Sequence, residues 1–390
     1  MELNRYLSNP INEDLKVKMV FIGGARQVGK TTLARKLITN NFQSWHYYNW
    51  DNSEHRKALK DFILPGEDSL LILDEIHKYR IWKSFVKGIF DSYKEKYSIL
   101  VAGSARLNIY RKGGDSLQGR YHYYTLHPFS LAEVENLSFH GKPGEELQFN
   151  STSFAPALES LFHFGGFPEP FVMQDDRTHR RWLNERLDRL FREDIRDIED
   201  IRDITSMKLL GDILPSKASG PLSINSLSED LEISHRAVSS WVNILEQFYY
   251  HFRIYPFHSL KTRSLKKEPK IYMYDWSQVE EPGPRFENMI ASHLLKFVHF
   301  LIENQGFKVD LYYLRNVDKK EVDFLVTYNS KPWFSVEVKL SDTTPSKNIS
   351  FFRDRLKIPF NFQVVMKEDI DIMKDDIRVI SASKFLTALI

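Results

Sequence analysis

The residues best equipped for chemistry lie near the beginning of the chain, in Gly24-Ala25-Arg26-Gln27-Val28-Gly29-Lys30-Thr31-Thr32. The spacing G-x-x-x-x-G-K-T, directly after an apolar run ending at Ile22, is that of a phosphate cradle. Its glycines let the backbone turn tightly, so that successive N–H groups face a β-phosphate, and the helix opening at Lys30 adds its positive end. Lys30 then reaches the β- and γ-phosphates and the Thr31 hydroxyl binds Mg²⁺, so the implied ligands are ATP and Mg²⁺. A second apolar run, Leu70 to Leu73, ends in Asp74-Glu75. A buried parallel strand ending at a nucleotide site has this form. Asp74 would hold Mg²⁺ through a water, and Glu75 would polarise the water that attacks the γ-phosphate.

Two more residues are candidates for the same site. The run Ser98–Leu107 ends a strand near Gly103-Ser104, where Ser104 either senses the γ-phosphate or is a turn serine. Arg120 opens a later strand. It is either a finger inserted in trans into a neighbouring copy's site, which implies a homo-oligomer, or an ordinary surface arginine.

The C-terminal quarter carries a second set of carboxylates. In "EVDFLVTYN" and "KPWFSVEVKLS", two strands around a turn at Asn329-Ser330, period two sets Glu337 and Lys339 on one face, with Asp323 level on the partner strand. Glu287, on a helix beginning "RFENMIASHLLKF", could join them. Carboxylates converging in this way bind Mg²⁺ or Mn²⁺ through oxygen, and Lys339 could orient a water or stabilise charge as a phosphodiester is cut.

These groups need elements to hold them. The chain has 390 residues, 42% apolar and 27% charged, enough for several domains with substantial cores. Net charge is +2, which by itself points to no nucleic acid partner. Cysteine is absent, which excludes disulfides and thiolate metal sites and fits a reducing compartment. With no signal-type segment and no run of ~18 apolar residues, the expectation is a cytoplasmic protein without a membrane span.

Short apolar runs at Lys18–Ile22, Trp45–Tyr48, Leu70–Leu73, Ile99–Ala102 and Tyr121–Thr125 alternate with helical stretches, which predicts an α/β unit with a mostly parallel sheet over residues 1–152. A helical segment at 153–215 follows, with Leu183, Leu187, Leu190, Phe191, Ile195, Ile198 and Ile201 on one stripe.

Residues 216–278 read as two helices and two strands of a winged helix-turn-helix. Ser234 would cap a second helix with Val238, Val242, Leu245 and Phe248 inside. His235, Arg236, Ser239 and Asn243 would face DNA, beside a basic wing of Lys261, Arg263, Lys266, Lys267 and Lys270. The other reading of this module is a lid or a protein contact. A further α/β segment occupies 279–390.

The runs "GARQVGKTTL", "LILDEIHK", "AGSARL", "GRYHYYTLHPFSLAEV", "FGGFPEPF" and "FREDIRDI" resemble the prokaryotic AAA-type ATPases whose C-terminal half is a domain of unknown function. The resemblance spans nearly the whole chain. It implies an ASCE-type P-loop core with Glu75 as catalytic base, a helical lid, a winged helix and a terminal restriction-endonuclease-like α/β fold. The pattern D-x₁₃-E-x-K, with Val322 where the motif has proline, is similar to that of the PD-(D/E)XK nucleases, and Glu287 matches the acidic residue of their first helix. The functional expectation is an ATPase that acts on DNA through a nuclease-like metal site. The alternative is a nucleotide-dependent switch of protein contacts with a silent nuclease-like fold.

Overall fold

The computed structural model describes residues 4–103, 117–150, 152–195, 203–258 and 268–390. The chain divides into two units, Met1–His127 with Gln247–Tyr249, and Pro128–Glu246 with Tyr250–Ile390. Among the described residues no helix is long and apolar enough to cross a membrane.

The first unit is built on five parallel strands: β1 (Met19–Gly24), β2 (Trp45–Asn49), β3 (Ser69–Asp74), β4 (Tyr97–Ala102) and β5 (Tyr121–Leu126). Their order is β2-β3-β4-β1-β5, all five at or within a residue or two of the apolar runs. β1 and β3 are buried along their whole length, as strands covered on both faces must be. Leu71, Leu73, Ile99 and Val101 pack on one side with Val86 and Ile89 from the helix Trp82–Tyr93. Because β4 lies between β1 and β3, the loop after β1 and the acids at the end of β3 flank a gap at the carboxyl edge of the sheet. Open α/β sheets bind ligands in that crevice.

In the second unit the helix Asp176–Arg189 buries His179, Trp182 and Arg186, with Leu190, Phe191 and Ile195 beyond its end. Leu183 and Leu187 are only half-buried, so the inward stripe is turned by about one residue from the expected one. An ion pair decides the rotation: Arg186 reaches Asp275 at 3.2 Å, and its guanidinium lies over the Phe167 ring. Ile198 and Ile201 lie outside the described residues.

The helices Ile224–Leu231 and His235–Gln247 follow, joined by a turn with Glu232 in the left-handed region. Ser234 Oγ accepts from the Ala237 N–H as the expected cap, and Val238, Val242, Leu245 and Phe248 are buried. The strands β6 (His251–Pro256) and β7 (Lys270–Met273) form an antiparallel hairpin.

β6 also pairs with β8 (Val309–Arg315), so the hairpin extends a sheet that continues through β9 (Glu321–Tyr328), β10 (Lys331–Lys339), β11 (Phe360–Val365), β13 (Ile377–Ser381) and β12 (Asp371–Lys374). The turn between β9 and β10 is the two-residue Asn329-Ser330, both at positive φ, which matches the twist of a tight hairpin. β10 runs through the helix Lys347–Leu356 to a parallel β11. The long helix Pro282–Glu303 packs on this sheet, and its Lys296 is buried against Glu133 at 2.5 Å and Ser130 at 2.8 Å.

Candidate nucleotide site and a second carboxylate cluster

The loop after β1 takes the shape its glycines allow. Gly24 sits at φ 140 and Gly29 at φ 98, with Gln27 also left-handed at φ 63. A Cβ on Gly24 would meet the Leu126 carbonyl oxygen of β5 at 2.5 Å, so side-chain-free backbone is needed there on two counts. Ala25 and Val28 are buried, while Arg26 and Gln27 are half-buried. A residue with no signal in the sequence pattern braces the loop: Arg5, itself buried, donates to the Val28 carbonyl at 2.7 Å and to that of His127 at 2.5 Å.

Lys30 is 9% exposed and donates to the carbonyls of Gly24 at 2.9 Å and Ala25 at 2.7 Å, which sets its ammonium across the concave side of the loop. Thr31 Oγ1 donates to Asp74 Oδ2 at 3.0 Å, joining the two expected Mg²⁺ ligands. Tyr47, at the middle of β2, donates to the same oxygen at 2.7 Å. Nothing in the sequence around Tyr47 signals this. Burial, then Asp74, pushes its phenol well above the usual range, so it stays a donor. Thr32, the next residue after Thr31, is exposed.

Glu75 follows Asp74 in the left-handed region at φ 56, its N–H bonded to the Ala102 carbonyl at 3.0 Å. Burial first, then the Asp74 carboxylate, pushes its carboxyl up from 4.5 to about 7, the range wanted in a general base. Thr31 and Asp74 present hard oxygens at hydrogen-bond separation. They fit Mg²⁺, which characteristically takes one or two protein ligands and completes its shell with phosphate oxygens and water.

Ser104 lies outside the described residues. Arg120 does not join the group. It precedes β5 at the amino edge of the sheet, opposite the loop, and forms a bidentate pair with Asp91 at 2.7 and 3.1 Å. Paired with Asp91 at that edge, its side chain does not reach this chain's own loop.

In the second unit the structure does bring the expected acids together. The register Val336↔Phe324 sets Glu337 opposite Asp323, and Asp323 Oδ2 accepts from the Val338 N–H at 2.9 Å. Lys339 meets Glu337 Oε1 at 2.8 Å. Glu337 is 4% exposed, and its Oε2 is buried with no hydrogen-bond partner. Burial and then Asp323 push its carboxyl up to about 7.

A cation already occupies the middle of the cluster. Lys270, expected in the exposed basic wing, is instead 3% exposed on β7. Its Nζ stands 3.0 Å from Glu287, 3.4 Å from Asp323 and 2.6 Å from Glu321. Tyr272 OH adds a 2.8 Å bond to the same Glu287 oxygen. Burial opposes the charge on Lys270, but the carboxylates outweigh it and its pKa is raised. One ammonium cannot neutralise them all, and burial followed by Asp323 pushes Glu287 up to about 8. Among the described residues no group of three or more His, Asp or Glu side chains is set to hold a metal ion. The expected Mg²⁺ or Mn²⁺ set of Glu287, Asp323 and Glu337 is therefore corrected: as arranged, it does not fit a metal. The reason is spatial, since a lysine 17 residues before Glu287 fills the place.

Asn243 is likewise not free to face a ligand, because its Oδ1 accepts from Arg253 at 2.9 Å. His235 and Arg236 are exposed at the start of their helix, and Ser239 is half-buried. Lys261, Arg263, Lys266 and Lys267 lie outside the described residues.

Comparison with known proteins agrees with the first unit. Residues 16–135 match the family model of an AAA domain, residues 155–279 a domain of unknown function (DUF8612), and residues 282–385 another (DUF4143). The unit carrying the loop is thus similar to AAA domains over residues 16–135. Uncharacterized protein MJ1544 of Methanocaldococcus jannaschii is 24% identical over 372 residues, 89% of this chain and 82% of its own length. Uncharacterized protein Rv2008c of Mycobacterium tuberculosis is 19% identical over 341 residues, 84% and 71% respectively. Among solved structures, the Thermotoga maritima RuvB Holliday junction branch migration motor aligns at 17% identity and TM-score 0.32, covering 64% of this chain and 90% of its own. The Aeropyrum pernix ORC1 protein in complex with DNA aligns at 12% and 0.35, covering 75% and 95%.

Proposed function

We propose that this protein binds ATP with Mg²⁺ on the loop Gly24–Thr32 and hydrolyses it. The observation that carries this reading is the convergence on Asp74: Thr31 and Tyr47 both donate to one of its oxygens, with Glu75 next in the chain. Lys30 and the loop N–H groups hold the phosphates, and Thr31 and Asp74 would hold Mg²⁺, which compensates charge on the transferred phosphoryl group. Glu75 accepts a proton from the attacking water. Ser104 contacts the γ-phosphate, and Arg120 acts in a neighbouring copy's site within a homo-oligomer.

The reading is tested by Glu75→Gln, measured by fluorescent-nucleotide titration and phosphate release. The variant retains ATP affinity and loses turnover by at least ~100-fold, a general base's usual contribution. Turnover near wild type would remove Glu75 from the mechanism.

The partner proposed for the second unit is DNA. The exposed His235 and Arg236 at the start of the helix His235–Gln247, together with the basic segment Lys261–Lys267, support it. A specific observation favours the second reading, a nucleotide-dependent switch whose C-terminal fold is catalytically silent: Lys270 stands among the carboxylates that a nuclease would use for metal.

A further inference from the structure

Leu183 and Leu187 stand one turn apart on the helix Asp176–Arg189 and are only half-buried, because the Arg186–Asp275 pair turns that helix away from them. With Pro215, Val279 and Pro284 they wall an open groove of about 510 Å³ that lies wholly within the second unit. The buried Tyr250 also lines it, its hydroxyl donating to the Gly211 carbonyl at 2.8 Å and standing 3.2 Å from Gln278 Oε1. The other end of that amide, Nε2, is buried with no hydrogen-bond partner. Folded chains leave few such donors unpaired, and a peptide carbonyl entering the groove would complete this one.

The rim is acidic. Asp212, Glu280 and Glu281 line it, all exposed, and among the described residues no Lys, Arg or His does. None of the three carboxylates forms an ion pair with a described residue. Glu281 precedes the helix Pro282–Glu303 but makes no side-chain cap bond to it. Arg285, one turn further on, is engaged elsewhere: it donates to the Val279 carbonyl at 2.5 Å and lies over the Phe162 ring. We propose that this groove docks a short extended segment of a partner protein, with apolar residues flanked by Lys or Arg. The apolar side chains would cover Leu183 and Leu187, a backbone carbonyl would take the Gln278 amide, and the cations would meet the three rim carboxylates. Apolar burial then supplies affinity while the matched charges fix register and speed encounter. The inference stands on the groove alone and does not depend on ATP hydrolysis.

The test is fluorescence anisotropy of the full chain, without nucleotide, using a fluorescein-labelled heptapeptide, KKLSLKK. Saturable binding is expected, weakened at least ~10-fold in Glu280→Lys/Glu281→Lys, where attraction becomes repulsion. Leu187→Ser should weaken it as well, through lost apolar contact. Asp375→Lys/Asp376→Lys, which reverses two exposed acids in the turn between β12 and β13, should leave it unchanged. Absence of saturable binding overturns the proposal, as does an equal loss in that control. Equal affinity for KKSSSKK, which lacks the leucines, would mean that the rim attracts any cation and would also overturn it. So would displacement of the peptide by spermidine at the same concentration, which would make the groove a polyamine site. If Leu187→Ser fails to fold, Glu280→Gln/Glu281→Gln, confined to exposed side chains, carries the comparison.

Discussion

Replacing Glu337 by glutamine should stabilise the second unit at alkaline pH. The side chain is 4% exposed, one of its oxygens has no partner, and Asp323 stands opposite. Burial and Asp323 outweigh the Lys339 pair, so the folded-state pKa is about 7 against an ordinary 4.5. At roughly 1.4 kcal/mol per pH unit, that difference is worth about 3 kcal/mol. The sign follows from proton linkage. A carboxyl with a raised folded pKa contributes stability that is fully present below the unfolded value and is lost as pH rises through the folded one. Glutamine stays neutral throughout and loses nothing. The variant should exceed wild type by about 1 kcal/mol at about pH 5 and by about 3 kcal/mol at about pH 8.5. Urea unfolding of both proteins at the two pH values, followed by circular dichroism, measures the difference. A variant less stable than wild type under the alkaline condition would mean that the Lys339 ion pair dominates. A gain of the same size at both pH values would mean that charge is not its origin. Either result refutes the reasoning.

Gly24→Ala forces a Cβ to within 2.5 Å of the Leu126 carbonyl at φ 140, and should cost the first unit about 1–3 kcal/mol and weaken ATP binding. Thermal unfolding and nucleotide titration report the two effects, and wild-type values in both would show that β5 yields without cost. Reversing Lys266 and Lys267 to glutamate should flatten the slope of log affinity for duplex DNA against log salt by about one for each phosphate no longer neutralised. An unchanged slope removes that segment from the DNA interface.

The geometry of the candidate nucleotide site was legible because its parts are local. Two glycines, a lysine and a threonine within eight residues dictate a turn and a helix start whatever packs around them, and Asp74-Glu75 announces itself as the polar end of an apolar strand. The five parallel strands were legible for a related reason, since strands buried on both faces must be nearly continuous in apolar residues. The Asn329-Ser330 turn and the register that brings Glu337 opposite Asp323 also follow from short-range pattern.

Long-range partners were not legible. Tyr47 looks like any aromatic residue of a strand until β2 is laid beside β3, which brings its hydroxyl to Asp74. Arg5 braces Val28 across 23 residues of sequence. Arg186 turns its helix inward although leucines at 183 and 187 advertise a different stripe, because Asp275 waits 89 residues away.

Lys270 shows most clearly what sequence by itself determined and what it left open. Its position near four other basic residues marks it as one of a charged group, and that is all a linear chain can express. Whether such a lysine meets solvent or a nest of carboxylates depends on which strand it enters and which face that strand buries. Here β7 joins a sheet whose other strands carry Glu321, Asp323 and Glu337, and the long helix adds Glu287. Sequence thus determined the glycine loop after β1, the acids that end β3 and the identity of every charged group. The pairing of those charges, and hence whether the second cluster meets a metal ion or an ammonium, was decided only by tertiary structure, because charges interact through distances that folding alone sets.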